Sequence, residues 1–222
     1  MKYILNILKK KNPFVIVKAA TTLDGKIATL NYKSKWITDE ELRREGNRLR
    51  CYCDAILCGI NTIIQDDPFL TCRVFKNKEM KKIILDPNLK IDEKANIFKK
   101  DSVIIFYHKE NKEKIKILKD KGVELIKLDL KDAFFDWKEI LNELYKRNIA
   151  SLLIEGGGKT ISSALKAKIV DKMYLFYAPK IMGKGISFSE DLSYGLKNLI
   201  QLKDFKIYQF KKGFILEGYP KK

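Results

Sequence analysis

Apolar residues along the chain fall into two rhythms. Short runs rich in β-branched residues, "FVIVKAA" (14–20), "DAILCG" (54–59), "KKIILD" (81–86), "SVIIFY" (102–107), "VELIKL" (123–128) and "ASLLIEGGG" (150–158), have the length and composition of buried strands. Between several of them the period lengthens. "NKEKIKILKDKG" (111–122) predicts a helix closed by Gly122, and "DWKEILNELYKRN" (136–148) spaces Trp137, Ile140, Leu141, Leu144 and Tyr145 as an amphipathic helix does. "ITDEELRREGNRLRCY" (37–52) predicts a surface helix with a basic face, with Thr38 as N-cap and Glu41 three residues on as in a capping box. "INTIIQDDPFL" (60–70) reads as a sharp turn before Pro68, and "TISSALKAKI" (160–169) as a helix that starts straight after three glycines. The last third changes character: "KMYLFYAPKI", "KDFKIYQFKKG" and "FILEGYP" predict strands with little helix between them. Alternation first and a hairpin last predicts an α/β fold with a mostly parallel central sheet, helices on both faces and an antiparallel C-terminal edge. Residues 1–12 read as a basic, linker-like segment and 13–222 as one domain.

Composition narrows the function classes. No apolar run reaches the roughly 20 residues of a membrane span, and the start "MKYILNILKKKNPF" lacks the apolar length and cleavage site of a signal peptide. A cytoplasmic protein is expected. The single histidine, His108, excludes a histidine-based triad and a multi-histidine metal site. Cysteines at 51, 53, 58 and 72 do not have zinc spacing and read as reduced, small core residues. The net charge of +17 raises a nucleic-acid reading. Lysine, however, supplies 39 of the 45 basic residues and is spread along the chain, as on a solvated surface. Arginine is more telling: of six, five (Arg43, Arg44, Arg48, Arg50 and Arg73) fall within one short stretch.

Candidate chemistry gathers where strands end, the usual place for ligands in open α/β sheets. Lys18 sits in an otherwise apolar strand, either snorkelling to an edge or facing an anionic or carbonyl-bearing ligand. In "SKWIT", Trp36 either staples the core or stacks on a flat ring, with Ser34 beside it and Arg50 further along suited to phosphate oxygens. Asp66 and Asp67 before Pro68 form a plain turn, cap local backbone or accept from ribose hydroxyls. The turn "EGGGKT" is neither a G-x-G-x-x-G fingerprint nor a Walker loop. Glycines followed by a helix N-terminus still suit a phosphate, and Glu155 ahead of them suits the N–H edge of a heterocycle. Together these signals suggest a dinucleotide and an anionic heterocycle.

With those residues in place, the chain resembles the reductase domain of the bifunctional riboflavin-biosynthesis deaminase/reductase family. "VIVKAATTLDGKIAT", "SKWIT", "DAILCGINTIIQDDPFLTCR" and "LLIEGGGKTISSAL…VDKMYLFYAPKIMG" occur in that family's order and spacing, over roughly 13–218. The resemblance implies a dihydrofolate-reductase-like fold, NADPH as cofactor, a homodimer, and reduction of the ribosyl group of 5-amino-6-(5-phosphoribosylamino)uracil to a ribityl chain. By resemblance, Ala20, Trp36, Thr38, Thr62 and Asp66 line the cofactor site. Gly157, Gly158, Lys159, Thr160, Ile161, Ser162 and Ser163 cradle its phosphates. Ser34, Leu70, Arg50 and Arg73 grip the substrate, the arginines at its 5′-phosphate; Glu155 reads the pyrimidine and Lys18 faces the ribose, both as catalytic candidates. No metal is implied. The H-x-E and P-C-x-x-C zinc motifs of the deaminase half do not occur here, so a separate deaminase domain is the expected companion. Asn61 stands where the family often has glycine. The rival readings are a stand-alone reductase of the diaminopyrimidine before deamination and a basic nucleic-acid-binding protein.

Overall fold

Nine-residue strand β1 (Phe14–Thr22) opens the described chain with the burial its apolar run predicts, interrupted only at Lys18 and Ala20. The structure is a computed structural model and describes residues 11–75, 78–190 and 192–221. Most of the basic segment expected at 1–12 therefore lies outside the described residues. In chain order follow β2 (Lys26–Ala28), α1 (Glu40–Cys51), β3 (Ala55–Gly59), α2 (Ile60–Asp66), β4 (Lys81–Leu85), β5 (Val103–Tyr107), α3 (Lys112–Asp120) and β6 (Glu124–Lys127). Then come the small hairpin β7 (Leu130–Lys131) and β8 (Phe134–Phe135), α4 (Trp137–Lys146), β9 (Ser151–Glu155), α5 (Gly158–Lys166), β10 (Lys172–Ala178), β11 (Ile186–Ser187), β12 (Leu202–Phe210) and β13 (Gly213–Pro220).

The contacts divide the chain into two compact units. One holds Asn47–Leu153 with the described residues that precede Val15. Its strands β3, β4, β5 and β6 pair in parallel, in that order. Ile56, Leu57, Ile83, Ile84, Ile104, Ile105 and Phe106 make its interior, each at most 1% exposed. Helix α4 closes it with the face expected from its spacing: Trp137, Ile140, Leu141 and Leu144 are buried, and Asp136 caps the helix by accepting from Lys138 N. Asp54 accepts from Ala150 N, Ser151 N and Ser151 Oγ, which fixes the start of β9. A lysine in β4, Lys82, is wholly buried, and burial pushes its pKa down. Its ammonium donates to the carbonyls of Ile97 and Lys100 and lies 3.7 Å from Asp101, so its use is to pin that loop.

The other unit comprises Val15–Gly46 and Ile154–Lys222. Here β1 and β10 are parallel, β10 and β13 antiparallel, and β12 and β13 form the C-terminal hairpin. The expected fold class is thus what is found: parallel strands through the alternating part, antiparallel strands at the end. A short antiparallel pair, β2 with β11, was not legible in the sequence.

Three readings need correction. Residues 60–66 form helix α2, not a sharp turn; the turn comes at Asp67, whose left-handed backbone (φ 38°) ends the helix. Helix α1 is capped by Asp39, whose carboxylate accepts from Leu42 N at 3.0 Å, while Thr38 offers only its carbonyl, to Arg43. In α2 the Asp67 N–H still reaches the Ile63 carbonyl, so the chain completes its helical turns before it bends; in α1 a carboxylate takes the backbone N–H expected to bond the hydroxyl. Third, Cys51 and Cys72 form a disulfide, whereas Cys53 and Cys58 lie outside it and are buried as expected. Proximity set by the fold decides this, since sequence spacing carries no pairing information.

Candidate functional site

Lys18 does not snorkel. Its ammonium donates to Glu155 Oε1 at 2.7 Å, with side-chain exposures of 13% and 11%. β1 and β9 bring the two together across 137 positions of sequence. The ammonium also lies 5.3 Å from the ring centre of Phe176. Gly46 in α1 packs beside it: a Cβ there would stand 3.4 Å from Lys18 Cε and 3.5 Å from Nζ, ordinary van der Waals contact.

Trp36 is 66% exposed and stacks under the Arg43 guanidinium at 4.2 Å, and Arg43 Nη1 donates to the Thr38 carbonyl at 2.7 Å. Lys180 Nζ donates to the carbonyls of Trp36 and Ile37. Arg43, read in the sequence only as one of the clustered arginines, and Lys180, which sequence reasoning missed, therefore hold the segment carrying the exposed indole. Ser34 and Ala20 are half-buried in the same unit.

The glycine turn is built as the pattern implied. Gly156 and Gly157 have φ of 82° and 74°, values that suit glycine, and α5 starts without a side-chain cap. Lys159 is exposed and Thr160 half-buried, while Ile161 and Ser162 are fully buried and Ser163 Oγ donates to the Thr160 carbonyl. Gly158 serves packing: a Cβ there would stand 2.3 Å from the Ser187 carbonyl and 3.1 Å from a Glu190 carboxylate oxygen. An anionic group thus already lies against this first turn, the sign of charge that the helix end favours.

Asp24 locks the neighbouring loop. It accepts from Thr22 Oγ1, Met182 N and Gly183 N at 2.6, 3.0 and 2.7 Å. Thr22's hydrogen bond first, then the backbone donors, hold its carboxyl down at about 2 against an ordinary 3.8. A depressed carboxyl stabilises the fold above its unfolded pKa and loses that contribution as pH falls through the folded one. Urea midpoints of the wild type and Asp24→Ala are therefore expected to differ above pH 3.8 and to converge towards about pH 2.

In the other unit, Thr62 and Asp66 are half-buried and four residues apart on α2, hence on one face. Asp67 is spent on structure, accepting from Asn96 N and Nδ2 at 2.7 and 2.6 Å. Asn61 lies in the helix, where no left-handed backbone requires glycine. Leu70 is 4% exposed with φ of 47°. Arg50 is half-buried in the last turn of α1, Nη1 donating to Asn47 Oδ1 at 3.4 Å, and Arg73 is exposed. The Cys51–Cys72 bond ties together the two backbone stretches that carry these arginines.

Mostly parallel strands with an antiparallel end and a glycine turn before a helix make a fold of the dihydrofolate-reductase-like class. Dihydrofolate reductase from Enterococcus faecalis, in complex with NADP(H), shares the fold with a TM-score of 0.53, at 12% identity over 94% of this chain and 97% of that one. The chain belongs to the family of the RibD C-terminal domain, the reductase domain of riboflavin biosynthesis, whose model matches residues 13–216. The riboflavin biosynthesis protein RibD of Aquifex aeolicus is 41% identical over 186 residues, 82% of this chain and 51% of that protein. The crystal structure of a diaminohydroxyphosphoribosylaminopyrimidine deaminase/5-amino-6-(5-phosphoribosylamino)uracil reductase from Thermotoga maritima matches at 32% identity with a TM-score of 0.83, over 99% of this chain and 60% of that one. The chain spans about half the length of the curated RibD relatives it matches.

Proposed function

We propose that the chain reduces the ribosyl group of 5-amino-6-(5-phosphoribosylamino)uracil to the ribityl chain, with NADPH as reductant. The observation that carries this reading is the Lys18–Glu155 pair, a nearly buried cation and anion at 2.7 Å amid apolar strands. Such a pair is a poor source of stability and a good pair of polar contacts for a ligand. The residues suit a dinucleotide phosphate: a helix start without a side-chain cap after two left-handed glycines, where the phosphate takes the place of the Glu190 carboxylate, and the braced, exposed Trp36 for a flat ring. Bound there, the nicotinamide supplies the hydride.

The protein's own part is positioning and proton handling. Glu155 accepts from the N–H edge of the pyrimidine and orients Lys18. Lys18 donates to the sugar oxygen as the ring opens to expose C1′, and a proton from its ammonium stays with the product. Arg50 and Arg73 hold the 5′-phosphate, while Ser34 and Leu70 complete the substrate grip. Ala20, Thr38, Thr62 and Asp66 line the cofactor with the 157–163 turn. The same reading makes residues 13–222 the reductase domain, acting in the cytoplasm beside a deaminase domain. It also makes the chain a homodimer, a reading supported by Phe205 and Ile207, which stand 61% and 58% exposed on β12.

The test is NADPH oxidation with the deaminated phosphoribosylaminopyrimidine, run beside its diaminopyrimidine counterpart. Turnover with the first alone is expected. Turnover with the second alone moves the chain to the reaction before deamination. Silence with both, while NADPH still binds, overturns the substrate assignment.

A further inference from the structure

Arg73 has little to hold it. It is exposed, and among the described residues between Asp66 and Lys81 none belongs to a helix or strand. Its flanking residues are nevertheless fastened twice to the end of α1. Cys72, immediately before it, is bonded to Cys51, the residue after Arg50, with Cα atoms 5.0 Å apart, inside the range a bridge tolerates. Two residues on, the Phe75 ring meets Tyr52 edge to face at 5.9 Å, and Phe75 N donates to Cys72 Sγ at 3.4 Å. The two arginines assigned to the phosphate are thus each the chain neighbour of one bonded cysteine.

We propose that Cys51 and Cys72 are positioning residues: their disulfide fixes Arg73 relative to Arg50, so the oxidation state of this pair sets affinity for the phosphorylated substrate. The inference rests on the phosphate role given to the two arginines. The bridge closes a loop of 21 positions through β3 and α2, and cutting it restores the freedom that closure removed. Cys51 is 4% exposed and Cys72 half-buried, so Cys72 is the sulfur a small molecule reaches first. A low-molecular-weight disulfide is the oxidant. The Cys72 thiolate attacks one of its sulfurs and releases one small thiol; the Cys51 thiolate then attacks the mixed disulfide at Cys72 and releases the second. One small disulfide is consumed, two small thiols are formed, and the two protein protons end on them. A small dithiol reverses the sequence.

An arginine–phosphate contact held loosely is expected to cost about tenfold in affinity. The chemistry at Lys18 is untouched, so KM should move and kcat should not. The experiment measures free thiols, kcat and KM after oxidised glutathione or after dithiothreitol, for the wild type, Cys72→Ser and Arg73→Ala. The expected wild type has two reduced thiols when oxidised, Cys53 and Cys58, and four when reduced, with KM for the phosphorylated substrate about tenfold higher on reduction. KM for NADPH and kcat should stay level. Cys72→Ser should show the higher KM in both buffers, and Arg73→Ala a raised KM that reduction no longer changes. Four free thiols after oxidation, or a redox-insensitive wild-type KM while Arg73→Ala raises it, overturns the inference and leaves the arginine reading standing. An unchanged KM in Arg73→Ala removes the phosphate role of Arg73 and the inference with it.

Discussion

Lys18→Met is expected to lower kcat about 10²- to 10³-fold, the range for losing a positioned proton donor, while NADPH still binds. The substitution also takes from Glu155, 8% exposed, the ammonium that sits 2.7 Å from it. Removing one partner of a buried pair costs about 3–5 kcal/mol, so lost activity alone could reflect lost fold. Lys18→Met combined with Glu155→Gln separates the two. With both charges gone the urea midpoint should recover much of the way. If turnover in that stable double variant stays well below that of Glu155→Gln alone, the lysine's part is chemical. Turnover restored together with stability would reduce the pair to a structural strut, and unchanged turnover in the single variant would end the role outright.

Gly158→Ala carries the second large effect, by a different route. Its Cβ would stand 2.3 Å from a backbone carbonyl, that of Ser187, which cannot rotate aside as a side-chain tip can. The first turn of α5 must move, at a cost of about 1–3 kcal/mol for overpacking. The turn that moves is the one assigned to the cofactor phosphate. Loss of a charge-assisted contact there should raise the NADPH Kd about tenfold. Isothermal titration checks it: stability lost with Kd unchanged would place the phosphate elsewhere. KM for the pyrimidine, whose phosphate is assigned to Arg50 and Arg73, should change much less.

How far the sequence was legible depended on how local each determinant is. β1, β3, β4, β5 and β9 were read from apolar runs because both their faces are buried and nothing long-range is needed to see it. α4 was read from its spacing for the same reason. α2 was missed because seven residues with only Ile63 buried show no period. β2 and β11, three and two residues long, exist only through each other. The site divides in the same way. The glycine turn announces itself in four consecutive residues, and the riboflavin-reductase family was recognisable from such local motifs. The Lys18–Glu155 bond, the Arg43–Trp36 stack and the Cys51–Cys72 bridge are products of tertiary structure. Lys18 was noticed only as a charge out of place, and the bridge was read the wrong way, as free thiols.

Hydride delivery to the sugar carbon is measured most directly with NADPH carrying deuterium at both C4 positions of the nicotinamide. The product of a single turnover with 5-amino-6-(5-phosphoribosylamino)uracil is then weighed and fragmented. One deuterium per product molecule is expected, located at C1′ of the ribityl chain. A reduced product without deuterium, or with the label on the pyrimidine ring, would contradict it.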